Sequence, residues 1–93
     1  MTSIRSLLPW LPVHEFSLAQ GLMAQLDELA AHHGAKKIRT VRVDIGTRSG
    51  IVVDSFLFGF EVLAQENPLT EDAVLEISEP EGCDLILTQV EME

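Results

Sequence analysis

From Phe16 through Leu18, Ala19, Leu22, Met23, Leu26, Leu29 and Ala30, apolar residues recur at spacings of three and four. That stripe is the signature of an amphipathic helix laid on a sheet, and it predicts a first helix from about His14 to His33. Glu15 falls in its first turn, where the helix dipole favours an anion. Gly34 follows the last turn as a C′ residue, with His32, His33, Lys36 and Lys37 supplying positive charge nearby. Gly21, inside the helix, reads as a point of close packing.

The period changes to two over Ile38 to Ile45. There Val41, Val43 and Ile45 alternate with Arg42 and Asp44, so one face is buried and the other wet. Gly46-Thr47-Arg48-Ser49-Gly50 is a loop by composition. A second helix follows from about Ser55 to Gln65, with Asp54 or Ser55 as its N-cap. Phe56, Leu57, Phe60, Leu63 and Ala64 form its apolar side. Three of the four phenylalanines (Phe56, Phe58 and Phe60) lie in it and are read together as core. Asn67-Pro68 ends the helix. Residues 73–79 and 84–93 are two further strands; in the last, Ile86, Val90 and Met92 oppose Gln89, Glu91 and Glu93, while Leu85 and Leu87 blur the alternation. Pro80 and Gly82 in Glu79-Pro80-Glu81-Gly82 match a type I turn, which predicts that the last two strands form a hairpin. The order is α-β-α-β-β. The fold class is α+β, a small three-stranded mixed sheet covered on one face by two helices.

Ninety-three residues, 46% of them apolar, suit one small folded domain. Fifteen acidic residues against six basic ones give a formal charge of −9, which repels a phosphate backbone and excludes nucleic acid as a partner class. Cys83 is the only cysteine, so neither an internal disulfide nor a Cys-x-x-Cys zinc site can be built. Residues 1–12 hold an apolar patch around Trp10 that is too short and proline-broken for a signal segment, and no stretch is long enough to cross a membrane. The expected location is cytoplasmic. No phosphate loop, nucleophile triad or metal-hydrolase helix is present, so the chain does not read as an enzyme.

The candidate chemistry lies at Val13-His14-Glu15-Phe16-Ser17-Leu18-Ala19. Taken alone, His14 is an exposed histidine near a helix start and Glu15 a favourable first-turn charge. Yet His-Glu-x-Ser-Leu-Ala resembles the opening of the HypA family of nickel-incorporation proteins. The likeness continues through Leu26-Asp27-Glu28-Leu29-Ala30, His33-Gly34-Ala35-Lys36-Lys37-Ile38 and Val41-Arg42-Val43-Asp44-Ile45-Gly46 with Ser49-Gly50. Phe58-Gly59-Phe60-Glu61-Val62-Leu63 and Leu87-Thr88-Gln89-Val90-Glu91-Met92-Glu93 extend it. Each piece alone is unspecific; their shared order across residues 13–93 carries the resemblance.

The resemblance implies a metallochaperone that binds Ni(II) and passes it on for [NiFe]-hydrogenase or urease maturation. Its implied partners are a HypB-like GTPase and the hydrogenase large subunit. The family site, carried onto His14 and Glu15, uses the histidine imidazole, two backbone nitrogens and a free terminal amine, four nitrogens that suit square-planar Ni(II). The family's zinc-binding segment, with its two Cys-x-x-Cys pairs, is absent: Pro80-Glu81-Gly82 stands in its place, Cys83 is no zinc ligand, and no zinc is expected. The resemblance thus covers the nickel-binding domain, residues 13–93. Residues 1–12 are an extension that acylates the amine of Val13. An initiating GUG codon at position 13 would yield a protein beginning Met-His-Glu, with the amine free; a start at Met1 would not. Both starts stay open, as does a different class of function, a metal-free interaction module that has lost both metal sites. His32 and His33, being adjacent, point about 100° apart on a helix and are read as C-terminal dipole partners. Asp44 and Glu61 are read as solvated charges.

Overall fold

The computed structural model describes residues 2–7 and 15–93. The apolar stripe folds as α1 (Glu15–His33), which buries Leu18, Ala19, Leu22, Met23, Leu26 and Ala30. Gly34, at φ 65°, ends it, and the Ala35 N–H donates to the Ala30 carbonyl at 2.9 Å, the closing bond of a Schellman-type cap. β2 (Ile38–Ile45) follows, then α2 (Val53–Gln65), β3 (Val74–Ser78) and β4 (Leu85–Met92). Over these residues the α-β-α-β-β order and the mixed three-stranded arrangement are as the pattern predicts. A strand near the start of the chain, β1 (Thr2–Leu7), pairs antiparallel with β4 and adds a fourth strand, giving the sheet order β1-β4-β2-β3.

The predicted hairpin does not form. β2 lies between β3 and β4, pairing in parallel with β3 and antiparallel with β4. Two strand spacings, about 10 Å, therefore separate the strands that flank Pro80-Glu81-Gly82. The loop arches across the C-terminal end of β2 and satisfies its backbone there. The Gly46 N–H donates to the Asp84 carbonyl at 2.9 Å, Thr47 to Pro80 at 2.9 Å and Arg48 to Gly82 at 2.8 Å. Gly46 is required at this crossing, because a Cβ on it would stand 2.3 Å from the Gly82 carbonyl oxygen. β2 wins the central place because it supplies four fully buried side chains, Ile38, Val41, Val43 and Ile45, whereas β3 buries none completely.

Two irregularities explain the blurred alternation. Between the pairs Arg42↔Gln89 and Val43↔Leu87 the register shifts, leaving Thr88 as the extra residue of a bulge. The Thr88 hydroxyl donates to the Arg42 carbonyl at 3.0 Å. Burial on β4 accordingly passes from Leu85 and Leu87 to Val90. A second shift at Arg39 brings Ile38 onto the same face as Val41.

The helices close one face of the sheet around Phe56, Phe60, Leu22 and Leu26, all essentially inaccessible. Phe58 does not join them: it is 71% exposed, since residues 56 and 60 share a helix face and residue 58 points away from it. Thr70 is buried after α2 and donates its hydroxyl to the Ala64 carbonyl at 3.2 Å. On the open face, Arg42 binds Glu76 at 2.8 Å on β3 and Gln89 on β4, a rung across three strands.

Candidate metal centre

Val13 and His14 lie outside the described residues, and Glu15 is the first residue described in α1. Its surroundings define what the structure says of the site. α2 begins two residues earlier than its polar residues suggest: Val52 is the N-cap, in extended backbone, with no side-chain cap. Neither Asp54 nor Ser55 takes that role. In a capping box, the N-cap residue's own N–H is met by a glutamate three positions on. Here that position is Ser55, and a glutamate from another helix takes its place. The Val52 N–H donates to Glu15 Oε2 at 3.2 Å across 37 residues of sequence.

The next residue of α1 is fixed to the same helix. A Cβ on Gly59 would meet Phe16 Cδ1 at 3.2 Å, Phe16 Cα at 3.4 Å and Ala19 Cβ at 3.5 Å, so α1 and α2 touch backbone to backbone there. The close-packing glycine is Gly59; around Gly21 a Cβ would meet nothing within 4 Å.

The other candidate ligands are not gathered with Glu15. His32 and His33 sit at the far end of the 19-residue helix, about 27 Å from Glu15 at the rise of an α-helix. Their rings meet edge to face with centroids 5.4 Å apart. Cys83 is exposed; it lines a cleft of about 230 Å³ with Asp44, Glu81 and Asp84 at the end of β2. Among the described residues no three or more His, Cys, Asp or Glu side chains come together as a metal site. Asp44 is half-buried and Glu61 exposed, on different elements. No described helix is long and apolar enough to cross a membrane.

Residues 13–84 match the family model described as hydrogenase/urease nickel incorporation, metallochaperone, hypA. The hydrogenase maturation factor HypA of Alkalilimnicola ehrlichii is 36% identical over 70 residues, 75% of this chain and 61% of that protein. Its counterpart in a Roseiflexus species is 38% identical over 81 residues, 81% of this chain and 65% of that protein. The chain therefore spans a little under two thirds of the length of these relatives. In three dimensions it is similar to the solution structure of the Ni metallochaperone HypA from Helicobacter pylori, with a TM-score of 0.70 at 25% identity over 87% of each chain.

Proposed function

This chain belongs to the HypA family of hydrogenase/urease nickel-incorporation metallochaperones, and from that premise we propose that it captures Ni(II) at residues 13–15 and delivers it for [NiFe]-hydrogenase or urease maturation. One observation carries the reading: the family match begins at Val13, so His14 is the second residue of the matched stretch. The histidine imidazole, the backbone nitrogens of His14 and Glu15, and an amine at position 13 make four nitrogen donors, a set suited to a square-planar d⁸ ion.

The amine is the anchor of this set. A backbone amide loses its proton readily only when a metal already bound beside it stabilises the anion, as bound cations do for ligands generally. With Val13 acylated by Pro12 the anchor becomes a neutral amide and His14 holds the metal alone. The working protein in this reading begins at position 13, and residues 1–12 are an extension to it. Hand-over proceeds by ligand exchange while the chain is docked on a HypB-like GTPase and then on the client enzyme's large subunit, in the cytoplasm. No catalytic step is involved, in keeping with relatives named as maturation factors.

Two chains test this near neutral pH: the full chain, and one beginning at residue 13 with Val13→Met. The shorter chain keeps both helices, the strands β2, β3 and β4 and the core cluster from Leu18 to Val90. It is expected to bind one Ni(II) with the weak visible absorption of a square-planar centre. The full chain is expected to bind far more weakly, and His14→Ala to abolish binding in the shorter one. Equal binding by both chains, or binding that survives His14→Ala, moves the site elsewhere; no binding by either leaves a metal-free interaction module.

A further inference from the structure

We propose that the outer edge of β3 is a docking strand for an extended, basic segment of another protein, which adds itself to the sheet and sets its apolar side chains against α2. The edge is independent of the nickel site. In the order β1-β4-β2-β3 the β4 edge is covered by β1, so β3 is the open edge among the described residues. A strand paired on one side turns the N–H and C=O groups of alternate residues outward. Over Val74–Ser78 no described residue bonds to those outward groups. Edges are commonly blunted by lysine, proline or a bulge. Val74-Leu75-Glu76-Ile77-Ser78 has neither lysine nor proline and pairs with β2 without a register shift.

Two features select the occupant. Between α2 and the start of β3 lies a cleft of about 340 Å³, walled by Leu57, Phe60, Ala64, Ala73 and Leu75 together with the exposed Glu61. A strand laid about 4.8 Å beyond β3 sets every second side chain on this helix side, where small or branched apolar groups suit the cleft. Its other side chains fall on the open face, beside Glu76. There Gln89, Arg42 and Glu76 already form a rung across β4, β2 and β3, and a lysine or arginine on the added strand extends it by one. The surroundings have the same sign. Glu61, Asp72, Glu76 and Glu79 are acidic, and no lysine or arginine follows Arg48. Lys37 and Arg42 are already paired with Glu71 and Glu76. That charge disfavours a second copy of this chain. Glu76 is the central residue of β3, so antiparallel pairing of two copies centred on this strand would set Glu76 against Glu76, and like charges directly opposite are destabilising. Recognition is by strand addition, with backbone bonds supplying affinity and alternate side chains supplying selectivity.

The test uses the full chain and a short capped peptide alternating lysine and valine, with two N-methylated forms of it, one methylated at the lysine amides and one at the valine amides. Along a strand, residues that share a side-chain face also share a hydrogen-bonding edge. Strand addition therefore requires that one methylated form loses binding and the other keeps it. Titration followed by amide NMR is expected to show binding of the parent peptide, with slowed hydrogen exchange within residues 74–78 and shifts at Leu57 and Ala64. Glu76→Gln is expected to weaken that binding roughly two- to fivefold, the range of an exposed cross-strand ion pair. A peptide alternating glutamate and valine is expected not to bind. Equal effects of the two methylations, or equal binding of the glutamate peptide, would mean that no strand is added at a charge-selective edge, and either overturns the proposal. So does absence of binding by the lysine peptide, or protection confined to other strands. Concentration-dependent protection of residues 74–78 without peptide would seat a second copy on the edge and overturn it as well.

Discussion

Phe60 and Phe58 are two residues apart in α2, yet one is 1% exposed and the other 71%. Phe60→Ala is expected to cost about 3–5 kcal/mol, because a buried ring is removed and its surroundings collapse only in part. Phe58→Ala is expected to stay within about 0.5 kcal/mol of the parent. Urea midpoints of the two variants check both values, and equal losses would mean that the facing of α2 is wrong. The 3.6-residue period already separated these rings; reading all three phenylalanines as core gave hydrophobicity more weight than geometry. The glycines teach the same lesson. Sequence marks Gly21 and Gly59 alike as helix-interior glycines, and only the approach of Phe16 and Ala19 tells them apart. Glu15 was legible as a first-turn acid, but its bond to Val52 was not, since the two are far apart in sequence and Val52 carries no polar signal.

At the scale of elements, the boundaries of α1, β2 and β4 follow from periodicity, while strand pairing does not. A type I turn signature says that the chain bends, not which strand lies beyond the bend. Here the decisive contact is Gly46 beneath the Gly82 carbonyl. Gly46→Ala must push two backbones apart and is expected to destabilise by about 1–3 kcal/mol, as overpacking does. Gly21→Ala, in open helix, is expected to stabilise by about 0.5–1 kcal/mol. Thermal melts of the pair distinguish the two environments. At the other end of the sheet Arg39 of β2 meets Glu93, just past β4, at 2.5 Å. Their mutual hydrogen bond and charge hold the Glu93 carboxyl below its ordinary range and raise the Arg39 guanidinium. A carboxylate with a depressed folded-state pKa stabilises above its unfolded value, and that contribution is lost as pH falls through the folded value. The difference in urea midpoint between the parent and Arg39→Gln is thus expected to be present near neutrality, to vanish at acid pH, and to shrink in high salt because both groups are exposed. A difference that persists at acid pH would assign the effect to packing of the arginine stem.

The charge of the whole molecule is unevenly spread. α1 and α2 carry acids and histidines but no lysine or arginine, and the last basic residue is Arg48. The sheet and its loops hold the described cations, of which Lys37, Arg39, Arg42 and Arg48 are in ion pairs with glutamates. The helical layer, with the start of α1 at its end, is the more acidic side. Family membership was legible because the helix-opening motif and the strand patterns occur in one order, and the family match over residues 13–84 bears it out.

In the proposed reading nickel sits on nitrogen donors at residues 13–15. X-ray absorption at the nickel edge, recorded on the chain beginning at residue 13, tests it most directly. A four-coordinate planar centre with nitrogen ligands is expected, one of them an imidazole lost in His14→Ala, and no sulfur. A sulfur ligand lost in Cys83→Ser would place the metal on Cys83, the only cysteine, and a six-coordinate centre retained in His14→Ala would place it on His32 and His33; either spectrum rules out nickel on the nitrogens of residues 13–15.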